Sequence, residues 1–341
     1  MTGDKAKQVD SAGKRETRTV DRLLIKLGLI GVALVSVLSL LTWVSRDYLA
    51  IALTPAKIST RSRSQAAIDA DKLFWQTFHT GNYNGIERAL EVVTAAYLQT
   101  PGDAITASHV GWLHIWRVSE RARLVAPPST ITDDVILARR YFEESVRLAP
   151  HDARTQGFLA SAMLAEGQVQ GDERLTRRGY FAMHAAVRAW PAFNLFTAGY
   201  VLSSQPVQSR EFREALDDQW QNLETCVGQR IDRFRPDIAQ YIGKIKDRRA
   251  CLNTPIAPHN VEGFFLNMGD MLVKNGEWQL ATVVYEDARL SPQFQSWPFI
   301  AVLNDRIRNA QRNVTPFSMG AAGGPPLMVN SAFSCMACHE N

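Results

Sequence analysis

Cysteine is scarce in this chain: four residues in 341, too few for the dense disulfide framework of a small secreted scaffold. Signature motifs of common enzymes are missing as well. There is no G-x-G-x-x-G, no phosphate loop, no G-x-S-x-G and no H-E-x-x-H, so dinucleotide, phosphoryl-transfer, serine-hydrolase and zincin chemistry lack their usual carriers. No cluster of Lys/Arg interleaved with aromatics occurs, and the formal charge is only +4, from 38 basic and 34 acidic residues. Nucleic acid is therefore not an expected partner. Runs of β-branched alternation are also absent, which argues against strands. Present instead are 46% hydrophobic and 21% charged residues, ordinary proportions for a globular chain. The roughly 285 residues beyond the first apolar stretch can bury a core as one elongated domain or two small ones.

That apolar stretch, Leu27 to Val44, runs for eighteen residues without a charge, just long enough to cross a bilayer core. Lys5, Lys7, Lys14, Arg15, Arg18, Arg22 and Lys26 precede it, whereas Arg46, Lys57, Arg61 and Arg63 follow. The basic excess on the N-terminal side predicts a single-pass anchor over residues 23–46 with the N-terminus in the cytoplasm. Residues 1–22, mixed in charge and free of aromatics, read as a disordered cytoplasmic tail. The rival reading is a cleaved signal peptide with Ala50-Ile51-Ala52 as its cleavage site. Both fates deliver the remainder to the same side, the periplasmic face of a bacterial inner membrane. There a disulfide between Cys226 and Cys251 is the natural pairing.

From residue 60 to 312 the chain reads as helix after helix, so the expected fold class is all-α. Apolar residues recur at intervals of three and four, and prolines mark the stops. One pattern of small, large and small residues followed by proline repeats: Ala89, Val93, Ala96, Pro101; Ala138, Phe142, Ser145, Pro150; Gly179, Met183, Ala186, Pro191; and Ala281, Tyr285, Ala288, Pro292. The offsets resemble the second helix of a tetratricopeptide repeat. Phe265, Met268, Gly269 and Leu272 match that family's first helix, with Asn275-Gly276 as the turn. The prolines stand 49, 41 and 101 residues apart, against a family period of about 34, and Pro127-Pro128 fall where one first helix should lie. The resemblance implies a divergent α-solenoid of about four helical hairpins, and hence a surface for binding a protein partner.

The last residues carry the strongest chemical signal. Cys335-Met336-Ala337-Cys338-His339 is C-x-x-C-H, the attachment signature of a c-type cytochrome. In that family the two cysteines, here Cys335 and Cys338, form thioethers to one haem c, and the histidine, here His339, is the proximal iron ligand. The motif ends a segment, residues 313–341, whose start is an irregular Gly/Pro tether from Asn313 to Asn330. Small cytochromes place the motif early and a Met ligand later; with only Glu340 and Asn341 after His339, a sixth ligand has to come from upstream or from a partner. Met328 leads the in-chain candidates because Leu327-Met328-Val329 is an apolar patch near the motif; Met319, His259, His114 and His109 are the others. His109 and His114 lie among Trp112 and Trp116 and read as helix-pair core, and Asn260 reads as a helix N-cap.

The expectation is a non-enzymatic electron-transfer subunit: a membrane-anchored monohaem protein whose helical solenoid docks it into a larger redox complex. Two alternatives stand beside it. The haem is a structural staple in an assembly scaffold, or Cys335, Cys338 and His339 form a thiol or metal site without haem.

Overall fold

The computed structural model describes residues 5–60, 62–245, 248–319, 331 and 336–341, with side chains described from residue 26 onward except 44 and 248. Among these residues every regular element is a helix. Two units separate at residue 57, Met1–Lys57 and Ile58–Asn341.

The first unit holds a single helix, α1 (Lys5–Leu53). Its window Lys26–Trp43 has mean hydropathy 1.9 and no buried residue. It is long and apolar enough to cross a membrane. The helix begins well before the apolar run, so the backbone over 5–22, expected to be a disordered tail, is helical. Ala, Lys, Arg and Gln are good helix formers, and a helix already nucleated by the apolar segment extends at low cost into them.

The second unit begins with α2 (Gln65–His79), α3 (Ile86–Gln99), α4 (Ala104–Ser119), α5 (Asp133–Leu148), α6 (Ala153–Gln170), α7 (Glu173–Ala189), α8 (Pro191–Leu202) and α9 (Arg210–Val227). It continues through the short α10 (Arg248–Cys251) to α11 (Asn260–Lys274), α12 (Trp278–Glu286) and α13 (Ile300–Met319). Starts are capped as the sequence prescribes. Ser64, Asp103, Asp152, Asp172 and Ser209 each accept a main-chain N–H of the first turn. Gly171 and Gly228 end α6 and α9 in the left-handed conformation, at φ 67° and 74°. Asn260 is not the N-cap of α11: it is the first helical residue, and its side chain donates to Ala250 O. The carboxamide oxygen of Asn253, from the preceding loop, caps Val261 N instead at 2.8 Å.

Along most of this unit consecutive helices pack together, as α2 on α3, α4 on α5, α6 on α7, α8 on α9 and α11 on α12. That makes five helix pairs among the described residues, one more than expected. Pro127 and Pro128 sit in the loop between α4 and α5, so they interrupt no helix. The small–large–small positions all lie in the core: Ala89, Val93, Ala138, Ala186, Ala281, Tyr285 and Ala288 are fully buried, and Phe142 and Met183 nearly so. Small residues on the partner helix make room for the large ones. A Cβ at Gly111 would stand 3.0 Å from the Phe142 ring, and one at Gly269 would overlap Tyr285. Tyr285 also donates its hydroxyl to Asp270 Oδ1 at 2.5 Å, and Arg306 Nε lies 3.2 Å from the same oxygen, which ties α11, α12 and α13 together.

Helix α13 runs seven residues past its expected end at Arg312, through Pro316. Burial of Phe317 beneath the Arg306 guanidinium, 4.8 Å from the ring centroid, favours the extra turns. The rest of the expected Gly/Pro tether, residues 320–330, lies outside the described residues. Cys226, at the end of α9, is disulfide-bonded to Cys251 of α10, with Cα atoms 5.7 Å apart. A loop of this length contributes about 3 kcal/mol when closed. The bond also pins the start of the segment 252–259, which reaches the chain's C-terminus.

Candidate functional site

Residues 336–341 close into one tight turn, with His339 N and Glu340 N both donating to Met336 O at 2.7 and 3.1 Å. Polar atoms from distant parts of the chain hold that turn. Trp297 Nε1 donates to Ala337 O at 2.8 Å, His259 N to Cys338 O at 3.0 Å, and Asn341 N to His79 O at 2.8 Å. Side chains follow the same division. Met336, 1% exposed, enters the core of α2, α3 and α4 with Phe74, Phe78 and Trp116. Ala337, the next residue, belongs to the core of α9 and α11 to α13. Cys338 is buried with its sulfur against α11, where a Cβ on Gly263 would overlap Sγ and stand 3.1 Å from Cys338 N. The C-terminal turn therefore joins the first helices of the unit to the last.

His339 is half-buried, and its ring meets Phe78 edge to face at 5.0 Å and Trp112 at 6.5 Å. Its Nδ1 lies 2.8 Å from Ile256 O. A carbonyl oxygen only accepts, so Nδ1 carries the hydrogen. Desolvation pulls the pKa down to about 4, with nearby His79 adding to the effect and the Ile256 carbonyl opposing it. The ring is therefore neutral near pH 7, and Nε2 is left as a lone pair. Tying one imidazole nitrogen to a carbonyl and leaving the other's lone pair free is how proteins orient a histidine for a metal. His79 was not singled out by sequence reasoning; its Nε2 stands 3.2 Å from the same Ile256 oxygen. No local pattern marks it, since it ends α2 like any polar residue.

His259 lies on the other flank of Cys338. It is 2% exposed, with Nδ1 3.1 Å from Glu262 Oε1. Glu262 is fully buried and accepts from Ser291 Oγ at 2.7 Å and Asn253 Nδ2 at 2.9 Å.

The other candidates separate from the motif. His109 stacks on Phe74 at 4.0 Å with Nδ1 2.8 Å from Asp71, and His114 Nδ1 lies 2.7 Å from Asp134. Both serve the helix packing. Met319 is 62% exposed at the end of α13. Cys335 and Met328 lie outside the described residues. Among the described residues no group of three or more His, Cys, Asp or Glu is arranged to hold a metal ion.

One titrating group stands behind the turn. Arg123 lies 2.8 Å from Glu120 and 3.7 Å from Glu340. Burial pushes the Glu120 carboxyl up to about 7 although Arg123 opposes it, while Glu340 adds to the rise. A carboxyl whose pKa is higher folded than unfolded gives stability that is complete below its ordinary value of 4.5 and lost as pH rises through about 7. Glu120→Gln should therefore match the parent at pH 4 and exceed it at pH 8 by about 1–2 kcal/mol in denaturant unfolding. A variant less stable than the parent at pH 8 would contradict this.

No protein-family model, curated protein or solved structure matches this chain.

Proposed function

We propose that this chain is a membrane-anchored c-type monohaem protein that transfers electrons within a larger bioenergetic complex and is not itself an enzyme. The observation that carries the reading is the C-x-x-C-H string, whose His339 has Nδ1 2.8 Å from Ile256 O, which leaves Nε2 as the nitrogen free to ligate. His339 directly follows Cys338 in that string. In residue type and spacing the string matches the group. Cys335 and Cys338 would hold haem c through thioethers, and His339 would ligate its iron. When bound, the haem supplies one-electron redox chemistry. The chain's part is to fix the ligand nitrogen, keep the imidazole neutral and exclude water with Phe78 and Trp112.

The remaining parts follow. The apolar segment of α1 anchors the chain in a bacterial inner membrane, its N-terminus cytoplasmic by the basic excess before it. Residues beyond the anchor then face the periplasm, where the Cys226–Cys251 disulfide is at home. Consecutive helices that pack together along most of the unit support a tetratricopeptide-like solenoid, the kind of surface that docks a protein partner.

The knitting of the last residues into both ends of the unit favours a second reading, in which the haem is a structural staple and the helices do the binding. Purification from native membranes tests both. A haem stain that survives denaturing electrophoresis, with reversible reduction by dithionite and reoxidation by a co-purifying subunit, supports electron transfer. A stained band whose haem no partner reoxidises supports the staple. An unstained band from cells competent in cytochrome c maturation contradicts both.

A further inference from the structure

One face of α7 carries charge that nothing in the unit neutralises. Arg174, Arg177, Arg178 and Arg188 are exposed there, with Phe181 among them, 68% exposed. Their spacing of three and four places them on one side of the helix. None of these arginines has an ion pair among the described residues. Beside this face, between α7 and α9, opens a cleft of about 530 Å³ lined by Tyr180, Phe181, His184, Arg210 and Arg213. Two carboxylates also line it, and both are engaged. Glu214 accepts from Tyr180 Oη at 2.6 Å and lies 3.0 Å from His184 Nε2, while Asp217 is 2.5 Å from Arg233. Burial pushes the adjacent Asp218 up to about 7, and Glu214 and Asp217 add to the rise. The acids of α9 therefore leave the arginines of α7 uncompensated.

We propose that this face of α7 and the cleft beside it dock an acidic segment of a protein partner. Carboxylates of that segment pair with the arginines, and one apolar side chain enters the cleft beside Phe181. The inference rests on the docking part of the reading above and not on haem. Guanidinium groups match carboxylates in geometry as well as in charge. Exposed arginine beside aromatic rings is also the composition enriched at the centre of protein interfaces. An anionic bilayer attracts arginine too, but its flat surface would leave the cleft unfilled.

The probe is a synthetic peptide of glutamates around one phenylalanine, titrated calorimetrically into the full-length chain in an uncharged detergent. The parent should bind it, less tightly as salt is added, and should bind the glutamine analogue far more weakly. The double variant Arg177→Glu, Arg178→Glu and the single variant Phe181→Ala should each lose about tenfold in affinity. Arg308→Glu, at an exposed arginine of α13, should lose none. All four side chains are exposed, so circular dichroism should confirm that each variant folds. Phenylglyoxal modification of Arg177 and Arg178 should slow with the peptide, and proceed equally in nanodiscs of phosphatidylcholine and of phosphatidylglycerol. No binding by the parent, or parental affinity in both α7 variants, overturns the inference. Protection by phosphatidylglycerol without peptide also overturns it, assigning the face to lipid. Retention of the co-purifying subunit by the double variant overturns it as well, and leaves the electron-transfer reading standing. Peptide binding by a chain that carries no covalent haem supports this face and removes only the haem reading.

Discussion

Replacing Met336 by alanine should destabilise the second unit by about 2–5 kcal/mol, the range for deleting a large buried side chain without collapse of the site. Met336 is 1% exposed and lies in the core of α2 to α4 with Phe78 and Trp116. Aromatic rings fixed in their own edge-to-face contacts, Phe78 on Trp116 at 5.4 Å and on Trp112 at 5.8 Å, have little freedom to fill the space. The loss should extend to the site, because Met336 O is the acceptor that shapes the turn carrying His339. Denaturant unfolding of Met336→Ala, with Met336→Leu as a volume-conserving control, measures the effect. A loss below about 1 kcal/mol, the level of a surface change, would mean that the C-terminal turn is not part of the core.

Gly263→Val should have a larger consequence for the site than for the fold. A Cβ at 263 overlaps Cys338 Sγ and comes within 3.1 Å of Cys338 N. The overlap falls on Sγ, and the Cys338 main-chain N and Cα at 3.1 and 3.2 Å crowd the added carbons even when Sγ rotates away. The expected outcome is displacement of residues 336–341 from α11, with loss of the His259 N to Cys338 O and Trp297 Nε1 to Ala337 O bonds. Helix α11 is buried and held by α12 and α13, so far-ultraviolet circular dichroism should stay nearly unchanged. Limited proteolysis should then cut at the C-terminal segment many times faster than in the parent, and the rate of proteolysis against the circular dichroism distinguishes undocking from unfolding. Equal protection of the two proteins would contradict the contact.

How far the sequence foretold these features follows from the range of the interactions. Helices were legible because burial repeats with the local period, and the small–large–small positions such as Ala138, Phe142 and Ser145 are buried for that reason. The extra helix pair, α8 with α9, was not, because the small–large–small pattern followed by proline was found only in α3, α5, α7 and α12; nor was the length of α13, whose last seven residues fall in the stretch read as a Gly/Pro tether and are held by the burial of Phe317. The N-cap at Asn260 failed because Asn253, seven residues earlier, supplies the capping oxygen from a loop tied down by the disulfide. The C-x-x-C-H string was plain in the sequence. Its surroundings were not. Ile256 acts through a main-chain oxygen that any residue would provide, and His79 and Trp297 approach from opposite ends of the unit with no spacing to announce them. His259 was one candidate among five, and no spacing announced the bond of its main-chain N–H to Cys338 O.

The decisive measurement is the intact mass of the chain isolated from cells that mature c-type cytochromes, compared with a Cys335→Ala, Cys338→Ala double variant. Covalent haem predicts a single species heavier than the polypeptide by about 600 Da, and the loss of that increment in the variant. A native protein with the bare polypeptide mass would contradict the claim that these two sulfurs and His339 hold haem.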